Sequence, residues 1–117
     1  MTRSNRRGRL PRWGLTLAPA AALLFANPLS AAAPHTYTVI IDKMQFGALP
    51  GGLHAGDVIV WENRDIFRHT ATAKDGSFNV DLPAKAKGKT VVKKAGAIPF
   101  FCKYHPGMKG VLKVAAK

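Results

Sequence analysis

The sequence predicts an all-β domain, a β-sandwich or small barrel, and three observations point there. Beyond residue 34 no apolar pattern keeps a 3.6-residue period long enough for a substantial helix. Instead, β-branched and alternating runs of four to seven residues recur about every ten residues, with glycine and proline between them. The chain has 117 residues, enough for one domain with a real core and too few for two.

The first 33 residues read differently. Arg3, Arg6, Arg7, Arg9 and Arg12 precede the apolar run "GLTLAPAAALLFANPLSAAA", which ends in small residues. That is the layout of a secretory signal peptide, with cleavage expected between Ala31 and Pro34. The expected division is therefore 1–33 signal peptide and 34–117 mature domain. Pro19, Asn27 and Pro28 interrupt the apolar run and no stop-transfer pattern follows, which disfavours a retained membrane anchor. The pair Arg6 and Arg7 leaves the twin-arginine and general export routes both open, because "GRLPR" replaces the hydrophobic residues that usually follow.

In the mature part, "TYTVIID" (36–42) is rich in β-branched residues and reads as a strand, followed by a short extended "MQF". "LPGGLHAGD" (49–57) supplies turn residues. "DVIVWEN" (57–63) alternates Val58, Val60 and Glu62 against Ile59 and Trp61, the pattern of a strand that is mostly buried. "RDIF" leads into an extended "RHTATA" (68–73), and "KDGS" turns. "LPAKAKGK" (82–89) reads as a loop and "TVVKK" (90–94) as a strand. "IPFFCK" (98–103) and "GVLKVAAK" (110–117) are the last two strands.

Charge narrows the partners. The whole chain carries +12, but five of its 18 basic residues lie in the first 33, leaving 13 against six acidic ones, a net +7. Export argues against nucleic acid. Lys85, Lys87, Lys89, Lys93 and Lys94 are strung along a turn and a strand without aromatics between them, so a solvated face that keeps a strand soluble explains them as well as a docking patch does.

Cys102 is the only cysteine and cannot form an internal disulfide. In an oxidising compartment a free thiol is buried, cross-linked or bound. His105 follows three residues later and Met108 three after that, in "FFCKYHPGMKG". Thiolate, imidazole and thioether on one loop between strands suit copper, which accepts two imidazoles and a thiolate in a plane with a weak axial thioether. The second imidazole has to come from elsewhere. His69, in a β-type run 33 residues before Cys102, is the best candidate; His35 lies near the mature N-terminus and His54 in a glycine-rich turn. An amino-terminal copper site at His35 is disfavoured because Pro34 has no amide hydrogen to lose.

"FFCKYHPGM" together with the upstream "RHTATAKDGSF" resembles the cupredoxins, the small blue copper proteins. Within that family, which includes the amicyanin and plastocyanin-like proteins, the C-x-x-H-x-x-M spacing is most similar to the amicyanins; plastocyanin and pseudoazurin have longer gaps between histidine and methionine. The resemblance implies a Greek-key β-sandwich holding one type 1 copper at one end, with His69, Cys102, His105 and Met108 as ligands. It implies for Thr70, which keeps a hydroxyl but not an amide, only a supporting role between the two ligand loops. The implied function is electron transport, not enzyme catalysis, with His105 as the electron exit. Lys103 and Lys109 would steer an acidic redox partner, by resemblance a c-type cytochrome or a periplasmic dehydrogenase. Copper binding and delivery is the alternative. The mature domain is expected to be a periplasmic monomer without stable membrane insertion.

Overall fold

Period-two burial organises the chain beyond residue 34. The computed structural model describes residues 8, 10, 11, 13, 14, 16–25 and 32–117. The chain divides into two units, Met1–Ser30 and Ala31–Lys117. Much of the segment 1–33 expected to be a signal peptide lies outside the described residues. Among the described residues no helix is long and apolar enough to cross a membrane.

Nine strands appear among the described residues: β1 (Thr36–Asp42), β2 (Gln45–Phe46), β3 (Leu53–His54), β4 (Val58–Asn63), β5 (His69–Ala73), β6 (Asn79–Leu82), β7 (Lys87–Val91), β8 (Gly96–Phe101) and β9 (Lys109–Ala115). They form two mixed sheets, ordered β2-β1-β4-β7 and β3-β9-β8-β5-β6. β1 runs parallel to β4 and β3 parallel to β9, and the other pairs are antiparallel. The β-sandwich expectation is met.

The inward side chains of both sheets form one core. Val39 and Ile41 from β1 and Ile59 and Trp61 from β4 face Leu82, Ile98, Phe100 and Leu112 from the other sheet, all buried. Trp61 anchors it: the ring packs 5.3 Å from Phe100 and 5.9 Å from Phe46, and its indole N–H donates to the Thr90 hydroxyl at 3.0 Å. Trp61 and Phe46 are thus core residues, as their strand positions predict.

Several boundaries differ from the expected ones. The loop expected over 82–89 gives up Lys87–Lys89 to β7, which ends at Val91 and not at Lys94. Pairing with β4 sets this register, Thr90 lying opposite Ile59 and Gly88 opposite Trp61. Gly88 is needed there because an added Cβ would collide with the Val80 side chain of β6. Leu53 and His54, read as turn, pair with Val114 and Ala115, and Leu53 is buried. β6 was not expected: Asn79 and Asp81 look like loop residues, yet they occupy outward positions of a strand paired with β5. β8 begins at Gly96 and stops at Phe101, so Cys102 lies just beyond the strand.

Candidate metal centre

At one end of the sandwich β4 passes through residues 64–68 into β5, and β8 passes through residues 102–108 into β9. Both connections leave the sheets where backbone pairing stops. The first residue of β5, His69, and the first residue after β8, Cys102, are fully buried, and His105 is half-buried. Nδ1 of His69 and Nδ1 of His105 each lie 3.7 Å from Cys102 Sγ. The imidazole centroids are 4.9 Å apart at 60°, and the ligand atoms of the three residues all fall within 4.8 Å of one another. A first-row metal bonded to sulfur at about 2.3 Å and to nitrogen at about 2.0 Å, with trigonal angles, holds those two atoms about 3.7 Å apart. The donor set fits a single copper ion.

The chain orients each ligand. Asp65 Oδ2 lies 2.8 Å from His69 Nε2, and an ionised carboxylate only accepts, so Nε2 carries the hydrogen and the Nδ1 lone pair faces Cys102. Asp65 is itself fixed, accepting from the backbone N–H of Lys43 at 2.8 Å and of Met44 at 3.0 Å. Those two residues turn the β1–β2 hairpin in the left-handed region, φ 51° and 61°. Burial pushes the Asp65 carboxyl up, but the bonds from Met44, His69 and Lys43 outweigh it and hold it below its ordinary value. Asn63, fully buried at the end of β4, shapes the connection. Its side-chain amide donates to the carbonyls of Phe67, Leu82 and Pro83, and its oxygen accepts from Asp65 N–H at 2.9 Å.

The second loop is closed by its own backbone. Met108 N–H donates to the His105 carbonyl at 2.8 Å across Pro106 and Gly107, the turn expected from those two residues. Cys102 N–H donates to the Met108 carbonyl at 3.0 Å. Met108 is buried, and this bond ties its backbone to that of Cys102. Thr70 joins the two loops: its N–H donates to Cys102 Sγ at 3.4 Å and its hydroxyl accepts from Lys103 N–H at 2.9 Å. Below the site, Phe100 shares Cys102's side of the chain and is fully buried, its ring 4.8 Å from that of Phe46.

His105 emerges among apolar groups. The Phe67 ring lies edge-on 6.3 Å away, and Ile66, Phe67 and Tyr104 are 75%, 51% and 52% exposed. Arg68 sits over the Tyr104 ring at 5.7 Å and is held from the other side by both carboxylate oxygens of Asp81. His54 is exposed with Nδ1 3.0 Å from the Gly52 carbonyl, and His35 is engaged with Asp57; neither belongs to the cluster.

His69, Cys102 and His105 therefore come together as the sequence predicts, while Asp65, Asn63, Ile66 and Phe67 were not singled out. A carboxylate four residues before a candidate imidazole ligand is the signal that reveals Asp65.

Comparison with solved structures finds similar chains among amicyanins. Amicyanin from Paracoccus versutus (Thiobacillus versutus) is 24% identical over 74% of this chain and 84% of that one, with a TM-score of 0.56. A Cu(I) structure of an amicyanin variant gives 22% identity and a TM-score of 0.57, covering 70% of this chain and 82% of that one. The reduced Cu(I) form, at pH 4, of another variant gives 23% and 0.56 with the same coverage. No protein-family model matches the chain, and no curated protein matches it. The chain thus has the fold of the amicyanins and carries, at one end of the sandwich, a histidine–cysteine–histidine cluster typical of a cupredoxin copper site.

Proposed function

We propose that this chain is a periplasmic blue (type 1) copper protein that carries single electrons. The observation that carries the reading is the His69–Cys102–His105 set: three donor atoms within 4.8 Å of one another, mostly buried, with one imidazole only half-buried. His69, Cys102 and His105 would hold the copper, and Met108 would add a weaker thioether donor. Copper supplies the one-electron change between Cu(I) and Cu(II).

The residues do the rest. Asp65, Thr70 and the Cys102–Met108 backbone bond hold the donors to the scaffold, so little rearrangement accompanies a change of charge. Burial of Cys102 shields the thiolate from oxidation. His105 is the exit for the electron, and Ile66, Phe67, Tyr104 and Pro106 form a small apolar surface around it on which a redox protein can dock. The net +7 of residues 34–117 favours a partner with an acidic face, such as a c-type cytochrome or a dehydrogenase. The arginine-rich, then apolar, start supports export to the periplasm with residues 1–33 as the cleaved signal peptide.

The test is the visible spectrum after Cu(II) is added to the purified exported protein. An intense thiolate-to-copper band, a reversible potential and slow metal loss to a chelator are expected, with the band gone in Cys102→Ala and His69→Ala. In Met108→Ala copper should be retained while band energy and potential move, because a thioether is the weakest of the four donors. A colourless copper complex, or rapid surrender of copper, would instead indicate delivery. The rate with an acidic partner should fall as salt rises.

A further inference from the structure

The β5–β8 ladder stops short of the site. Its Cα partners are Ala73 with Phe100 and Thr72 with Phe101, and the same register continued two residues on would place Thr70 opposite Lys103. There the strands have parted around Cys102, and the Lys103 N–H goes to the Thr70 side chain instead of to a backbone carbonyl. One hydroxyl therefore replaces a rung of sheet at the point where both ligand-bearing segments begin.

That hydroxyl is not free to turn. Thr70 Oγ1 lies 2.9 Å from Thr72 Oγ1, its neighbour on the same strand face, and the Thr72 hydroxyl donates to Asn79 Oδ1 at 2.8 Å. Asn79 stands directly opposite Thr72 on β6. A hydroxyl has one hydrogen. With the Thr72 hydrogen committed to Asn79, the hydrogen between the two threonines belongs to Thr70, and a Thr70 lone pair is left for Lys103. The chain of donors runs in one direction, from Lys103 N–H through Thr70 and Thr72 to Asn79. Thr70 and Thr72 are both buried, which makes a misdirected hydroxyl costly.

We propose that Thr72 and Asn79 are positioning residues for the candidate metal centre: from the neighbouring strand they fix the polarity of the Thr70 hydroxyl, which clasps the Cys102–Met108 loop to β5. The copper part of this proposal rests on the function proposed above; the clasp itself does not.

Two readouts on the full chain test it. In the metal-free protein, Thr72→Val should raise amide exchange at Lys103 about tenfold while β1 and β4 amides stay unchanged. In the copper-loaded protein the same variant should lose copper to a chelator about tenfold faster. Thr72→Ser keeps the hydroxyl and should restore both. Asn79→Ala, at an exposed position that tolerates substitution, should reproduce the Lys103 effect, and Asn79→Asp, which keeps an acceptor, should not. Lys103 exchange within twofold of the parent in both Thr72→Val and Asn79→Ala overturns the proposal, as does a rise spread evenly over the core. If the parent chain binds no copper, the metal reading fails while the exchange experiment still decides the clasp.

Discussion

At the scale of single residues, the group that does most to orient the cluster is Asp65. One oxygen takes the Lys43 N–H; the other takes both Met44 N–H and His69 Nε2. Asp65→Ala frees the imidazole to exchange tautomers, so copper affinity should drop about 10- to 100-fold, measured by chelator competition. Asp65→Asn separates geometry from charge. Its amide group can face Lys43, whose N–H already has Asp42 Oδ1 at 2.9 Å, while its carbonyl keeps Met44 and His69. That variant should retain most of the affinity. Equal loss in both variants would show that the carboxylate acts through charge. The His69–Cys102–His105 cluster was legible at this scale because Cys102 and His105 stand three residues apart on one loop and an upstream imidazole was sought to complete the set. Asp65 was only half legible: its spacing four residues before His69 is a signal, but the bend at Asn63 that brings the carboxylate back over the imidazole shows only in the fold.

At the scale of elements, legibility followed the strength of the two-residue pattern. β1 and β4 have β-branched alternation and were found to within a residue. β6 and β3 were missed because a strand of two to four residues carries too little pattern, and its partner decides its existence. β7 was displaced because lysines and Gly88 on an edge resemble loop. Gly110 shows how an element supports the site. It sits opposite Phe100 in the β8–β9 ladder, and a Cβ there would lie 2.6 Å from the Phe100 ring. Gly110→Ala must therefore push Phe100 against Phe46 and Trp61, the aromatic cluster that continues from Cys102 into the core. A destabilisation of about 1–3 kcal/mol is expected by chemical denaturation. Gly107→Ala, with open space around it, is the control and should cost far less.

At the scale of the whole molecule, the acidic groups are few and heavily used. Of the six, Asp57, Asp65, Asp75 and Asp81 are all held below the ordinary carboxylate range. Asp57 does its work at the end of the sandwich away from the His69–Cys102–His105 cluster. Backbone N–H groups of His54 and His35 donate to its two oxygens, at 2.8 and 2.9 Å, and tie the starts of β1 and β4 to the end of β3. A carboxyl whose folded value lies below its unfolded one binds more protons when unfolded, so stability rises with pH across that window. The contribution is complete above the unfolded value of about 3.9 and is lost as pH falls through the folded value. Asp57→Asn keeps one acceptor and loses the other, and it cannot titrate. The stability gap between parent and Asp57→Asn, from denaturant midpoints, should be constant at neutral pH and shrink steadily below about pH 4. Protonation of the carboxyls also leaves the net positive charge of residues 34–117 unopposed, which steepens acid unfolding in both proteins but does not alter the gap. A gap that stays the same down to pH 2 would mean that Asp57 holds the strand entries by shape alone.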